Sequence, residues 1–274
     1  MLADRVHEPE AGPPSPATGG GTYVYCVTRA GTLREDPLDF RSPPVGGERA
    51  GPVSAVLFEE LAAIVSGTAV SRYDISRQNT LAHQRVVEET MTHSDVLPVR
   101  FGTVAKSPEQ VRDRLLRRRY GELHYFLHAV QDRVELGLKL YWQRAGLFNA
   151  IAAGNPRIAA LRDAIGGQPP ENTHYERIQL GQLVEEAMLR KRDEEADAIL
   201  EPLRPLAVET KVNKILTDTM VLNAAFLVDR SQEPAFDAQV NSLEAAWSGR
   251  LLFKYAGPLP PYNFVNIVVH WEEE

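Results

Sequence analysis

Apolar and polar positions alternate or recur in two successive series of elements. Tyr23 to Arg29 alternates and is aromatic or β-branched at most positions, which predicts a strand. Val53 to Phe58 and Ala62 to Ser66 are short apolar runs separated by Glu59-Glu60-Leu61, the pattern of a hairpin. Ala82, Val86, Val87 and Met91 recur at helical spacing and predict a helix from Arg77 to about Thr92. His83 lies at the edge of that stripe, and Leu81 lies off it. Asp95 to Val104 reads as a strand interrupted by Pro98, which argues for a sheet edge or a bulge. Ser107 and Pro108 form a helix start, as N-cap and first helical residue. That helix should reach about Arg119, with a second helical stretch from Glu122 to about Gln131.

The second series begins with the clean alternation of Val134, Leu136, Leu138, Leu140 and Trp142, a half-buried strand. Residues 143–181 hold short helical pieces broken by Gly154-Asn155-Pro156 and by Gly166 to Pro170. A longer helix is predicted from about Ile178 to Leu203, striped by Leu180, Leu183, Val184, Ala187 and Met188. Glu209 to Leu216 and Met220 to Asp229 follow as strands around Thr217-Asp218-Thr219. Val221 to Val228 is almost continuously apolar, which suits a central strand buried on both faces. Phe236, Val240, Leu243 and Trp247 mark a helix from Ser231, capped by Gly249, and Arg250 to Tyr255 is a last strand. Strand, helix, strand, strand, helix, strand over 134–256 is the split βαβ order of a ferredoxin-like domain, with a helical insertion at about 143–181. The fold class is therefore α+β in two domains: 22–132 and 133–257. A Pro- and Gly-rich leader, 1–21, reads as disordered, and 258–274 is a tail ending in Glu272-Glu273-Glu274.

Composition narrows the function classes. A chain of 274 residues, 43% hydrophobic, can bury two modest cores. The net charge is −7 and no basic patch dominates, which argues against a nucleic-acid partner. The densest basic cluster, Arg112, Arg114, Arg117, Arg118 and Arg119, reads as a solvated helix face. The single cysteine, Cys26, excludes an internal disulfide and fits a reducing compartment, and its strand setting suits a small buried hydrophobe. No apolar run reaches the roughly 18 residues of a membrane span, and the N-terminus lacks an apolar signal core.

Candidate chemistry is sparse. His124 and His128 stand four apart on a predicted helix, but Tyr125 occupies the place where a zincin needs Glu, and no ligand at suitable spacing completes a site. His93-Ser94-Asp95 places three triad residue types side by side, whereas triads are assembled from separated segments. Gly19-Gly20-Gly21-Thr22 precedes a strand rather than following one, so it is no phosphate loop. Two segments hold more interest. Arg100, within Leu97-Pro98-Val99-Arg100-Phe101-Gly102, should face away from Val99 and Phe101, either paired with a carboxylate at a domain boundary or free to dock a partner. Gly257 to Phe264 is stiffened by three prolines and presents Tyr262 and Phe264 on one side.

Tyr23-Val24-Tyr25-Cys26-Val27, Leu97 to Thr103, Glu135-Leu136-Gly137-Leu138-Lys139 and Gly257-Pro258-Leu259-Pro260-Pro261-Tyr262-Asn263-Phe264 occur in an order and at distances that resemble the gas vesicle protein F/L family. The resemblance covers about residues 22–268. Family members often have Thr where this chain has Ala256, and Trp where it has Leu259; these changes blunt the last motif's aromatic character without altering its backbone.

The resemblance implies a non-enzymatic, cytoplasmic, gas-vesicle-associated accessory factor. Such a factor engages gas vesicle shell protein A and other gas vesicle accessory proteins, assisting nucleation or assembly. It implies no cofactor, metal or small-molecule substrate. It also implies two α+β domains, the second a modified ferredoxin fold, with the C-terminal tail packing between them. Arg100, Phe101, Leu259, Tyr262 and Phe264 are the candidate residues, as partner contacts or as locks between domains. The alternative is a ferredoxin-like small-ligand or haem-binding enzyme or regulator, with His124, His128 or His174 as ligand.

Overall fold

A computed structural model describes residues 20–35, 39–143, 151, 154–269 and 271. Most of the expected leader, the start of the expected insertion, His270 and the three terminal glutamates lie outside the described residues. The chain divides into two compact units, one formed by 1–129 with 266–274 and the other by 130–265.

The first unit is built on a twisted antiparallel sheet of β1 (Gly21–Arg29), β2 (Val53–Phe58), β3 (Leu61–Thr68), β4 (Val96–Pro98) and β5 (Val104–Ala105). The order is β2-β3-β1-β4, and β5 also pairs with β1. Thr22 to Thr28 of β1 are all buried, so the alternation seen in sequence marks two covered faces rather than one wet face. A short helix, α1 (Ala30–Glu35), follows β1 directly. On one face Tyr23, Tyr25, Ala62 and Ile64 pack against Ala82, Val86 and Val87 of α2 (Arg77–Met91). The Ser76 side chain caps α2 by accepting from the Asn79 N–H. The other layer is α3 (Pro108–Gln110), the wide π-helical turns of Val111–Arg117, and α4 (Tyr120–Ala129). Leu115, Leu116, Leu123 and Leu127 of that layer are fully buried.

β4 and β5 are two pieces of one interrupted strand. Cys26 faces Pro98 and Tyr23 faces Val104, so the expected edge position of Pro98 holds. Between them Val99 to Thr103 leaves the ladder, opposite the bulge of β1 between Val24 and Cys26. The excursion is tied back at both ends: the Val99 N–H donates to the Tyr25 carbonyl at 3.0 Å, and the Val24 N–H donates to the Thr103 carbonyl at 2.9 Å. Gly102 turns it with φ +84°, a left-handed conformation that favours glycine. Val99 also forms a parallel bridge with Ile267, so the tail is part of this unit.

The second unit has β6 (Arg133–Trp142), β7 (Glu209–Val212), β8 (Met220–Asp229) and β9 (Leu251–Leu259) in the order β7-β8-β6-β9, every neighbouring pair antiparallel. One face carries the core. Val134, Leu136, Leu138, Leu140 and Trp142 meet Ile199, Leu200 and Leu203 of α6 (His174–Leu203) and Phe236, Val240 and Leu243 of α7 (Glu233–Ala246). α5 (Pro156–Ile165) packs Ile158 against Ala187 and its partly buried neighbours on α6. Helix α6 begins at His174, a full turn before the expected Ile178. β9 runs through Gly257-Pro258-Leu259, so the first part of the Pro-rich motif is strand and not the tail expected from Pro258. β6 and β9 come so close there that a Cβ on Gly257 would lie 2.5 Å from Leu136 Cδ2.

Candidate partner-binding surfaces

The five candidate residues fall on both units. Arg100 and Phe101 lie in the first, and Leu259, Tyr262 and Phe264 in the second. Arg100 is exposed; its backbone N–H donates to the Ile267 carbonyl at 3.4 Å, and its own carbonyl accepts from Thr103 Oγ1 at 2.7 Å. Among the described residues no carboxylate pairs with its guanidinium, which lines an open groove.

Phe101 is half-buried, its ring 6.2 Å from Tyr23 and 5.8 Å from His83. Beneath it sits a polar aromatic cluster. Tyr23 Oη and His83 Nδ1 share a hydrogen bond of 3.0 Å, and the Gly102 N–H donates to Tyr23 Oη at 3.1 Å. Tyr25 Oη bonds to Ser66 Oγ at 2.9 Å and accepts the Val45 N–H at 2.9 Å. Burial pushes the His83 imidazole down to about 4, with a backbone hydrogen bond at Val99 acting in the opposite sense. His83, expected at the edge of its helix stripe, is thus a neutral core residue. Burial also pushes the Cys26 thiol up to about 12, partly countered by Thr90, which agrees with the buried, unreactive role.

The Pro-rich motif is organised around Asn263, between the two aromatic residues that the sequence singled out. The Asn263 backbone N–H donates to Glu135 Oε2 at 2.7 Å, and its side-chain amide donates to Glu135 Oε1 at 2.6 Å. Lys211 Nζ donates to the Asn263 carbonyl at 2.9 Å, and Asn213 Nδ2 donates to Asn263 Oδ1 at 3.1 Å. Glu135 is 2% exposed, on the face of β6 opposite the helices. Burial raises its carboxyl above the usual range, and Asn263 and Lys211 offset this only in part. Tyr262 is 38% exposed, while Leu259 and Phe264 are half-buried. The motif therefore latches onto the sheet through Asn263 and turns Tyr262 outward. Periodicity in the sequence could not find this pair, because Glu135 and Asn263 are 128 residues apart and meet only in the fold.

The second unit also exposes Val208, Val212 and Leu216 on and beside the edge strand β7. The histidines offered as ligands do not converge. His124 Nε2 lies 3.6 Å from Glu60 Oε2 with its ring stacked on Tyr120, and His128 and His174 are exposed. Among the described residues no three His, Cys, Asp or Glu side chains are grouped to hold a metal ion. The arginine cluster is laced with acids, Arg112 and Arg117 to Asp113 and Arg119 to Glu122. No helix among the described residues is long and apolar enough to cross a membrane.

The family profile of gas vesicle synthesis protein GvpL/GvpF matches residues 21–266. The chain belongs to the GvpL/GvpF family. It is 30% identical to gas vesicle protein F of a Streptomyces strain over 252 residues, covering 89% of this chain and 99% of that one. It is 28% identical to gas vesicle protein F of Microcystis aeruginosa over 220 residues, covering 79% and 89%. The crystal structure of GvpF from Anabaena superposes with a TM-score of 0.74 at 25% identity, covering 93% of this chain and 100% of that one. The GvpL/GvpF match spans both units and ends just after the Asn263 latch, so that latch lies within the matched region.

Proposed function

We propose that this chain is a non-enzymatic accessory factor of gas vesicle formation, acting in the cytoplasm and at the vesicle. It binds the small hydrophobic shell protein, together with other gas vesicle accessory proteins, and assists nucleation or assembly. Membership of the GvpL/GvpF family across both units is the observation that carries this reading. Exposed apolar side chains on the second unit, Val208, Val212, Leu216 and Tyr262, support it, since a partner with a very hydrophobic surface needs such contacts. In the first unit Arg100 and Phe101 are the proposed contacts. Leu259 and Phe264 are half-buried and act by holding the motif in place.

The second unit is read as ferredoxin-like. Its strand order and uniformly antiparallel pairing support that, as do the two helices on one face. The helical insertion, expected at about 143–181, is read as α5 with the start of α6. The remaining tail, from Asn266, is read as a connection that returns the chain to the first unit.

Capture of purified shell protein on the immobilised chain tests the function. Retention above a bare-matrix control is expected. Absence of capture, with the chain shown to be folded, would overturn the reading.

A further inference from the structure

The groove beside Arg100 lies wholly within the first unit and encloses about 650 Å³. Its walls are Tyr73, Ile75, Phe101, Val104, Val268 and Trp271. Two guanidiniums, Arg72 and Arg100, line it together with the hydroxyl-bearing Ser71, Thr80 and Thr103. Among the described residues no Asp or Glu lines it, although acids outnumber bases in the chain, 37 to 30. Neither arginine has an ion-pair partner among the described residues, whereas Arg112, Arg117, Arg119 and Arg133 nearby in sequence are each held by an acid.

We propose that this groove docks an acidic segment of a partner protein. Its carboxylates meet Arg72 and Arg100, and an apolar side chain beside them rests on Phe101, Val268 and Trp271. The planar guanidinium fork donates two parallel hydrogen bonds to a carboxylate, and apolar walls strengthen that contact by excluding water. The volume is in the range that encloses a few side chains rather than a whole helix. Arginine pairs flanked by apolar surface are a recurrent means of reading acidic peptide motifs. The floor is firm: Phe101 is seated on the Tyr23–His83 cluster, and the tail is fixed by the Val99–Ile267 bridge and by Arg119 donating to the Val268 carbonyl at 3.0 Å. Thus the Phe101 and tail side of the groove is held in place before binding. The inference rests on the proposed accessory role only for the identity of the partner, and it assigns the first unit a polar docking mode distinct from the apolar surface of the second.

The test uses the full chain and a fluorescent, end-blocked hexapeptide of alternating glutamate and leucine, with its lysine–leucine twin as control. Anisotropy should show saturable binding of the acidic peptide alone, weakening as salt rises from about 0.05 to about 0.5 M. Arg72→Ala with Arg100→Ala should reduce affinity about tenfold or more. The melting temperature should stay unchanged, because both side chains are exposed. Trp271→Ala should weaken binding without altering its salt dependence. Equal binding by the double arginine variant, or equal binding of the lysine twin, would overturn the groove as an acidic-peptide site. Shell-protein capture is run on the same variants. Peptide binding with no shell capture removes the accessory reading and keeps the groove, and shell capture with no peptide binding does the reverse.

Discussion

In the first unit the core is assembled from rings that carry polar atoms. Tyr23, Tyr25 and His83 are buried together and satisfied by one another, by Ser66 and by backbone N–H groups. In the second unit the core proper is aliphatic with Phe226 and Phe236 at its centre, and the buried charge is kept at its margins. There Glu135 is held by Asn263, and Glu195 accepts from Trp142 Nε1 at 2.6 Å while pairing with Lys191 at 2.8 Å and Arg250 at 2.7 Å. One unit thus buries a neutral base and the other buries acids. The two should answer acid in different ways, although one chain carries both.

The largest separable effect should come from the aliphatic core. Phe236→Ala removes a fully buried ring packed 4.9 Å from Phe226, and should cost the second unit about 3–5 kcal/mol. Hydrogen exchange followed by mass spectrometry should show faster exchange in β6, β8 and β9. Equal loosening of β1 and β3 would mean that the two units do not differ as described.

Next is the latch. Asn263→Ala removes the side-chain donor to Glu135 in a buried place, and the acceptor of Asn213, while leaving the backbone N–H bond to Glu135; it should cost about 1–3 kcal/mol near neutral pH. The loss should shrink in acid, where Glu135 takes up a proton. Its folded carboxyl is raised, so its contribution to stability is greatest below the ordinary value of 4.5 and falls as pH rises through the folded value. Urea unfolding at two pH values checks this, and a pH-independent loss would contradict it.

The pH response of the wild-type chain comes third. His83 is held down to about 4 from an ordinary 6.5, so the stability it confers is complete above 6.5 and is lost as pH falls through about 4. The first unit should weaken by about 2 kcal/mol between pH 7 and pH 5. Glu195 behaves otherwise. Burial alone would raise its carboxyl, but Lys191, Trp142 and Arg250 outweigh burial and hold it below 4.5, so its contribution is lost only in stronger acid. Exchange rates corrected for intrinsic chemistry should therefore rise at pH 5 in β1, β3 and α2 and not in β6 and β8. His83→Leu should flatten that response.

The smallest effect on stability should be that of Tyr262→Ala, about 1 kcal/mol or less, since that side chain is 38% exposed. Its use lies in the contrast with its neighbour Asn263.

Much of this architecture was legible in the chain. The alternation of Val134 to Trp142, the apolar run of Val221 to Val228 and the stripe of Phe236, Val240 and Leu243 all report local periodicity, and local periodicity is what a helix or strand face imposes. The α+β class and the edge position of Pro98 followed from the same signals. What was not legible depends on contacts distant in sequence. Glu135 looked like the polar side of a half-buried strand, because the segment that covers it lies at the far end of the chain. His83 looked like an edge residue, because its tyrosine partners sit on β1. Tyr262 and Phe264 drew notice as rings, although the residue between them bonds to Glu135, Lys211 and Asn213. Arg72 had no motif around it and entered only when Arg100, Trp271 and the rest of the tail lined the same groove.

The central claim is that the Pro-rich motif divides its labour, with Asn263 holding the fold and Tyr262 facing a partner. Shell-protein capture and thermal melting, measured side by side on Tyr262→Ala and Asn263→Ala, test it most directly. The account predicts that Tyr262→Ala loses capture and keeps its melting temperature, whereas Asn263→Ala melts lower yet still captures shell protein below its transition. Undiminished capture by Tyr262→Ala, or an unchanged melting temperature in Asn263→Ala, would contradict it.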